Sequence, residues 1–355
     1  MRPVVTQNFV YLDVLRFFSF LLIFLHHCNF FTYIPWVDEQ MLKAYPRFHI
    51  GVQLFFCLSA FLLTHLAISE YRETGRFSQF RFLVRRGLRI YPLYYLFVAL
   101  VFLIMPLAGH WAGFERVTLP ALTPYLFFYN NFYTGTGLFM LVFLWSIAVE
   151  EQFYIFYSFV LKYLFRWLWV VALLLLTAYF IFRSMYAING APDGHHTLNF
   201  LPCFAMGMVT ALLFHRYKER NIFRNLKAGY LLPGYLFITW LLLFARPLYR
   251  WQWFNTYEHF IYALAFCAVI FHLAHVPAKK NRFEQVFVYL GRRTYGLYVW
   301  HGLVLTILYK KIPQHILDRY FTGIFFIGIT ATILLAVLSY RFWEEPFLRL
   351  KKKFR

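Results

Sequence analysis

A row of ionisable residues lies inside the first apolar stretch of the sequence, LDVLRFFSFLLIFLHH. A helix advances about 100° per residue, so Arg16 and His27 differ by only about 20° around the axis. Asp13 falls on nearly the same stripe, whereas His26 is rotated away from it by roughly 80°. An imidazole in such a row can act as a general base or a nucleophile, and an arginine can orient an anionic substrate.

The spacing of this row also implies a path across a membrane. Arg16 and His27 are separated by about 16 Å along the helix axis, so Arg16 is expected near the cytoplasmic end and His27 deep in the span or toward its outer half. The structural alternative is that Asp13 pairs with Arg16 at the inner interface while His27 bonds to a carbonyl. Ionisable groups inside a span are costly and usually mark function, so several together favour chemistry.

Two other apolar stretches carry ionisable residues. LWSIAVEEQFYIFYSF contains the adjacent Glu150 and Glu151. An ionised carboxylate at mid-membrane costs on the order of 3 kcal/mol, so at least one should face a polar cavity unless it satisfies a buried arginine or backbone groups. YLGRRTYGLYVWHGLV places His301 within an apolar run. A lone histidine in that position is more often structural than catalytic.

A group of arginines precedes another apolar run in FLVRRGLRIYPLYY. Arg85 and Arg86 lie four and three residues before Arg89, so all three can gather near one side of a helical turn. Arginines grouped in this way suit bidentate capture of phosphates, as in a nucleotide-bearing cofactor, or else ordinary anchoring at the cytoplasmic face. Pro92 is predicted to lie in the first turn of the following span, where its missing N–H is harmless.

These residues must be positioned by membrane helices. The chain of 355 residues is 61% hydrophobic, 23% aromatic and only 14% charged, which is typical of a polytopic membrane protein. We therefore predict an all-α integral membrane protein in one polytopic domain, 1–355, with a surface or re-entrant segment near 119–133. About ten spans are predicted, and the segment 119–133 would make eleven if it crossed the membrane. The ten are 9–32, 50–69, 91–108, 138–165, 168–188, 198–214, 229–245, 258–276, 286–309 and 320–343.

The net charge of +20 is predicted to reflect topology. Lys and Arg concentrate in alternate connections, which places both termini in the cytoplasm by the positive-inside rule. Nucleic-acid binding is therefore not expected, and the bilayer is the predicted partner. The four cysteines match neither a disulfide framework nor a zinc site, and no metal is predicted. The basic connections are 70–90, 166–167, 215–228, 277–285 and the tail from 344.

Taken in order, these segments resemble the membrane-bound acyltransferase-3 family of bacterial O-acyltransferases. The opening is similar to that family's first-helix pattern of Leu-Asp-x-x-Arg, ten residues and a histidine, matched here by Asp13, Arg16 and His27. Val14 and Ala60 stand where the family usually has glycine. Six further segments follow in the family's order: GVQLFFCLSAFLL, RRGLRIYPLYY, LWSIAVEEQFY, NFLPCFAMGMVTALL, YLGRRTYGLYVWH and YRFWEEPF.

The resemblance implies transfer of an acyl group, most often acetyl from acetyl-CoA, to a hydroxyl of a cell-surface or lipid-linked glycan. It also implies a multi-pass protein of the bacterial cytoplasmic (inner) membrane. Some members carry an extracytoplasmic hydrolase-like domain. Because no such segment occurs before residue 355, we expect a stand-alone member.

Combined with this resemblance, the spacing of the residues above leads to a mechanistic hypothesis, in which the resemblance itself favours Glu150 over Glu151. His27 is predicted to act on the acceptor hydroxyl as a general base, or to carry the acyl group as a nucleophile. Arg16 is predicted to guide the donor, and Glu150 to orient His27 or balance an arginine. The phosphates of acyl-CoA are assigned to Arg85, Arg86 and Arg89, and the substrate side to Asp13, Glu151 and His301.

A second class of function fits the same composition. A transporter or flippase for a small anion or a lipid-linked glycan would also hold charged residues inside its spans, as a proton relay or a substrate grip. An acyl-transfer assay on purified protein separates the two classes, because only an acyltransferase consumes the donor.

Overall fold

The computed structural model describes residues 9–28, 50–104, 106, 119–133, 138–189, 195–217, 234–236, 238–241, 248, 250–277 and 282–354. These residues are almost entirely helical and include no strand, which confirms the all-α prediction. In chain order the main helices are α1 (Val10–His27), α2 (Ile50–Thr74), α3 (Gln79–Ala99), α4 (Trp145–Tyr163), α5 (Leu168–Asn189), α6 (Leu201–Tyr217), α7 (Gln252–His275), α8 (Arg282–Gly291), α9 (Thr294–Lys311), α10 (Gln314–Ser339) and α11 (Glu345–Leu350).

Within the described ranges, 8 helices are long and apolar enough to cross a membrane. The predicted span 229–245 lies largely outside the described residues. The prediction of one span over 286–309 is wrong, because a turn at Arg292 and Arg293 separates α8 from α9. The apolar pattern continues across this turn, so hydropathy alone joined the two helices.

The prediction for Pro92 is also wrong. Ser78 caps the start of α3 by accepting a bond from the Arg81 N–H at 3.4 Å, and the helix then continues through Pro92 to Ala99. Because proline has no N–H, a carbonyl one turn earlier loses its helical partner. The Pro92 carbonyl itself accepts a bond from Trp343 Nε1 at 2.8 Å.

The chain divides into two compact units. Unit 1 comprises Met1–Phe77, Leu164–Gly194 and Leu198–Arg292. Unit 2 comprises Ser78–Tyr163, His195–Thr197 and Arg293–Arg355. The predicted catalytic row on α1 belongs to unit 1, whereas the predicted arginine group and both glutamates belong to unit 2.

Unit 1 is built on close helix contacts at small residues. Ser19 Oγ on α1 donates to the Gly51 carbonyl on α2 at 2.6 Å, and a Cβ at Gly51 would lie 2.5 Å from the Ser19 carbonyl oxygen. A Cβ at Gly207 on α6 would similarly lie 2.6 Å from the Cys57 carbonyl oxygen on α2. Small residues allow backbones to approach in this way, so the segment GVQLFFCLSAFLL serves to position α1.

Unit 2 packs α9 against the residues that precede α4. Gly302 faces the Phe143 ring so closely that a Cβ would lie 1.7 Å from it. Tyr298 Oη donates to the Phe143 carbonyl at 2.8 Å and lies 2.6 Å from Ser146 Oγ. The segment predicted not to span consists of two short helical turns, Thr123–Leu126 and Asn130–Phe132.

Candidate active site

Asp13 lies between two arginines in unit 1. Arg16 Nη1 donates to Asp13 Oδ1 at 2.7 Å, as the three-residue spacing predicts. Arg292 Nε donates to Asp13 Oδ2 at 3.2 Å. Gly291 brings α8 close enough for this second contact, since a Cβ there would lie 1.9 Å from the Asp13 carbonyl oxygen. Asp13 therefore joins the first turn of α1 to the residue that follows α8, in a group of one carboxylate and two arginines.

His27 is the last residue of α1. Because α1 is one uninterrupted helix from Val10, Arg16 and His27 share a face, as their spacing predicts. The His27 and His26 rings are 5.2 Å apart between centroids. The predicted row is therefore present on α1, with the charged group at one end and the imidazole at the other.

In unit 2, Glu150 lies on α4 beside an arginine of α3. Tyr154 Oη donates a short hydrogen bond to Glu150 Oε1. The Arg86 guanidinium lies 5.9 Å from the centre of the Tyr154 ring and 5.8 Å from that of Phe82. The interface of α3 and α4 thus holds a cation, a phenol and a carboxylate in contact within apolar surroundings.

Glu151 occupies a more buried position than Glu150. It is only 2% exposed, and Tyr91 Oη on α3 donates to its Oε2 at 3.1 Å. Its other oxygen, Oε1, has no hydrogen-bond partner among the described residues. A buried carboxylate oxygen left without a donor is costly, so this atom is a natural place for a ligand hydroxyl or a water.

The three predicted phosphate-binding arginines have different partners. Arg85 Nη1 donates to the Phe354 carbonyl at 2.9 Å. Arg86 contacts Tyr154 instead, and Arg89 lies one turn further along α3. Arg85 and Arg86 therefore contact different protein groups, although the three arginines lie within little more than one turn of α3.

His301 is fully buried in α9. Its Nδ1 lies 2.5 Å from the Tyr298 carbonyl, and its ring centre lies 4.6 Å from that of Phe143. The predicted substrate residue is thus surrounded by the packing contacts that hold α9 in unit 2.

A polar network around Gln152 of α4 was not predicted from the sequence. Gln152 Nε2 donates to the Phe128 carbonyl and to Asn131 Oδ1, each at 2.7 Å, and Thr197 Oγ1 donates to Gln152 Oε1 at 2.5 Å. Phe128 has φ of 55°, which is uncommon for a residue with a side chain. Burial lowers the pKa of neighbouring His196 below its ordinary value. The network ties the segment 123–133 to α4.

Sequence analysis identified the charged residues of the site but missed their hydrogen-bond partners. Tyr154 follows Glu150 by four residues, so helical spacing was a signal that could have found it. Arg292 and Tyr91 bind carboxylates far away in the sequence, at Asp13 and Glu151. No local pattern identifies such pairs.

Comparison with known proteins connects this geometry to a family. The acyltransferase-3 family model, described as an acyltransferase domain, matches residues 9–341. No solved structure matches the chain. The match covers nearly the whole sequence and confirms the resemblance seen in the order of the motifs.

Curated relatives agree with this assignment. A Staphylococcus aureus (strain COL) protein, provisionally named an O-acetyltransferase, is 26% identical over 368 residues, covering 95% of this chain and 56% of the relative. O-acetyltransferase OatA of Staphylococcus aureus (strain NCTC 8325 / PS 47) is 25% identical over 358 residues, covering 94% of this chain and 56% of OatA. The chain therefore spans little more than half the length of these relatives. Since the family model extends from the first turn of α1 to the end of α10, this protein belongs to the acyltransferase-3 family.

Proposed function

We propose that this protein is a membrane O-acyltransferase, which transfers an acyl group, most simply acetyl, from a cytoplasmic acyl-CoA to a hydroxyl of a cell-surface or lipid-linked carbohydrate. We place it in the cytoplasmic membrane of a bacterium. The observation that carries the proposal is that paired ionisable side chains lie within apolar helices of a chain that belongs to an acyltransferase family. The names of the relatives support an acetyl group and a hydroxyl acceptor.

The donor is expected to bind through its phosphates. CoA carries a diphosphate and a 3′-phosphate, which arginine binds well through paired N–H groups. We assign this role to the arginines of α3 in unit 2. In unit 1, the positive group formed by Asp13, Arg16 and Arg292 is suited to orient an anionic part of a substrate.

His27 has two chemical routes to the same products. As a general base, it takes the proton of the acceptor hydroxyl while the oxygen attacks the thioester carbonyl. The C–S bond then breaks, and the CoA thiolate leaves with the proton from the imidazolium. As a nucleophile, the ring nitrogen attacks the carbonyl and the C–S bond breaks with release of the CoA thiolate. The acceptor hydroxyl then attacks the acyl-imidazole, the C–N bond breaks, and the hydroxyl proton passes through the released imidazole to the CoA thiolate.

The two glutamates are proposed to act differently within unit 2. Glu150 is bound by Tyr154, whose ring also contacts Arg86. This supports the role of balancing an arginine, one of the two roles predicted for it. Glu151 presents a buried oxygen that lacks a partner among the described residues, and we assign it to accepting a hydrogen bond from a substrate hydroxyl.

The decisive experiment compares the two adjacent histidines of α1. Purified protein receives radiolabelled acetyl-CoA and a membrane extract of lipid-linked glycans, and both CoA release and label transfer are followed. His27→Ala is expected to lower the rate at least about a hundredfold, the scale of a lost general base. His26→Ala is the matched control, since His26 is the neighbouring imidazole outside the row, and it should retain most of the rate.

Two results would contradict the proposal. If folded wild-type protein releases no CoA with any extract, the transporter or flippase class becomes the better interpretation. If both histidine variants lose activity equally while remaining folded, the assignment of His27 from its position on the helix fails.

A further inference from the structure

The segment that follows α10, residues 340–354, lies along α3 in unit 2, and we call it the docked segment. Trp343 Nε1 donates to the Pro92 carbonyl at 2.8 Å, and Arg85 Nη1 donates to the Phe354 carbonyl at 2.9 Å. The Phe354 ring also packs edge-on against Phe80, with 6.4 Å between centroids. Trp343 thus meets the middle of α3 and Phe354 its beginning, so the two segments are antiparallel.

This alignment brings together two segments of the same charge. Helix α3 contains no Asp or Glu. The docked segment has one carboxylate beyond the buried Glu344, that of Glu345, and Arg349 Nη2 binds it at 3.1 Å. The cations that the two segments carry are Arg81, Arg85, Arg86 and Arg89 on α3 and Arg341, Arg349, Lys351, Lys352 and Lys353 on the docked segment, and of these Arg86 lies against Tyr154 of α4.

Docking like charges on each other opposes the contact. Repulsion between unit charges is weak in water but grows as the surroundings become less polar. The hydrogen bonds of Trp343 and Arg85 nevertheless hold the docked segment beside α3. A polyanion bound between the two segments would remove this repulsion. Lys352 and Lys353 are exposed, so their ammonium groups are accessible to such an anion.

We propose that Lys351, Lys352 and Lys353 form, together with Arg81 and Arg85, a phosphate-binding surface for the nucleotide end of the acyl donor. The inference rests on the proposed function, because it takes the donor to be an acyl-CoA. It extends the donor site from α3, where the sequence placed it, to a second segment of the chain that the sequence assigned only to the basic cytoplasmic tail.

A nucleotide fits this surface better than a lipid headgroup does. The two arginines of this surface, Arg81 and Arg85, are about 6 Å apart along α3 at 1.5 Å per residue, and the three lysines follow one another on the docked segment. A diphosphate and a 3′-phosphate on one ligand can contact several levels of such a surface at once. A lipid phosphate stays at the depth of the headgroups, so it contacts the surface at only one position along the helix axis.

The test measures binding directly. Full-length protein in nanodiscs of neutral lipid is titrated with radiolabelled CoA and with dephospho-CoA, which lacks the 3′-phosphate. Wild type should bind CoA several-fold more tightly than dephospho-CoA. The triple variant Lys351→Gln, Lys352→Gln, Lys353→Gln should lose about tenfold in CoA affinity and lose that preference, whereas the triple Lys→Arg variant should keep both.

The matched control is Lys310→Gln with Lys311→Gln. These two lysines lie exposed in the last turn of α9, also in unit 2, and their loss should leave CoA affinity unchanged. If the lysine triple variant is folded and binds CoA as wild type does, the inference is overturned. An equal loss in the control variant would likewise overturn it, since general positive charge would then account for binding.

Two further measurements, of lipid retention and of acetyl transfer, separate this inference from a lipid-binding surface and from failure of the proposed activity. In nanodiscs containing phosphatidylglycerol, a triple variant that retains less of this lipid but binds CoA normally would assign the surface to lipid and overturn the inference. Wild type that binds CoA with the stated preference, yet transfers no acetyl group, would support the surface while the proposed activity fails. Wild type that transfers acetyl without preferring CoA to dephospho-CoA would overturn the surface alone.

Discussion

At the scale of the residue, Tyr154 connects two groups that the sequence marks as unusual. Its hydroxyl binds Glu150, and its ring lies beside the Arg86 guanidinium. The ring and the hydroxyl therefore perform separate tasks, one toward the cation and one toward the carboxylate. Substitution by phenylalanine removes the hydrogen bond to the carboxylate and keeps the ring beside the guanidinium.

Tyr154→Phe is expected to lower kcat about tenfold while the protein stays folded. The loss of a hydrogen bond to a charged group typically costs about 1.5–3 kcal/mol, and here it frees Glu150 from its orientation. The measurement is steady-state acetyl transfer together with thermal unfolding. Tyr163→Phe, at the exposed end of α4, is the control. Equal kcat in both variants would show that the hydroxyl has no part in the reaction.

At the scale of the element, the helices of unit 2 are held by a glycine that meets an aromatic ring. Gly302 on α9 faces Phe143, which lies between the short helix Phe139–Val142 and α4. The contact leaves no room for a single added carbon. Helix α9 can pack here only because this position has no side chain.

Gly302→Ala is expected to destabilise the protein by about 1–3 kcal/mol, the usual cost of overpacking, even though alanine is the better helix former. Gly323→Ala on α10 is the matched control, because nothing lies within 4 Å of its added Cβ. Thermal unfolding in detergent should show a lower midpoint for the first variant only. A midpoint unchanged at Gly302 would mean that the ring moves aside at little cost.

Element boundaries show how far sequence patterns reach. Periodicity predicts that Arg16 and His27 share a face because that relation lies within one helix. Hydropathy fails at the turn before α9, since the apolar pattern continues across it. The prediction for Pro92 failed because α3 begins at Gln79, thirteen residues before the proline, and local sequence rules place proline at a helix start. Relations within a helix are readable from sequence, and relations between helices are not.

At the scale of the whole molecule, the net charge of +20 should affect donor binding. Electrostatic attraction of an anionic ligand weakens as salt shortens the Debye length. Raising NaCl from about 50 to about 500 mM is therefore expected to raise KM for acetyl-CoA several-fold with little change in kcat. Potassium glutamate at equal ionic strength is the control for specific effects of chloride. A KM independent of salt would contradict a phosphate-binding role for the basic residues.

The whole sequence predicts some features of the fold and the site, whereas others are seen only in the folded chain. Composition and motif order sufficed for the all-α class and the family, because they depend on every part of the chain. The candidate residues were located by type, since a charge in an apolar run is conspicuous. The partners Arg292 and Tyr91 required the folded chain, because both contacts join residues far apart in sequence.

The contact of Arg85 with Phe354 spans 269 residues of sequence. Ribosomes add about 5–20 residues per second, so helix α3 waits for tens of seconds before its last partner is made. During that interval the Pro92 carbonyl and Arg85 lack the contacts that Trp343 and Phe354 later provide. A nascent chain interrupted before Trp343 would lack both hydrogen bonds, so the packing of α3 is completed only when the last residues have been added.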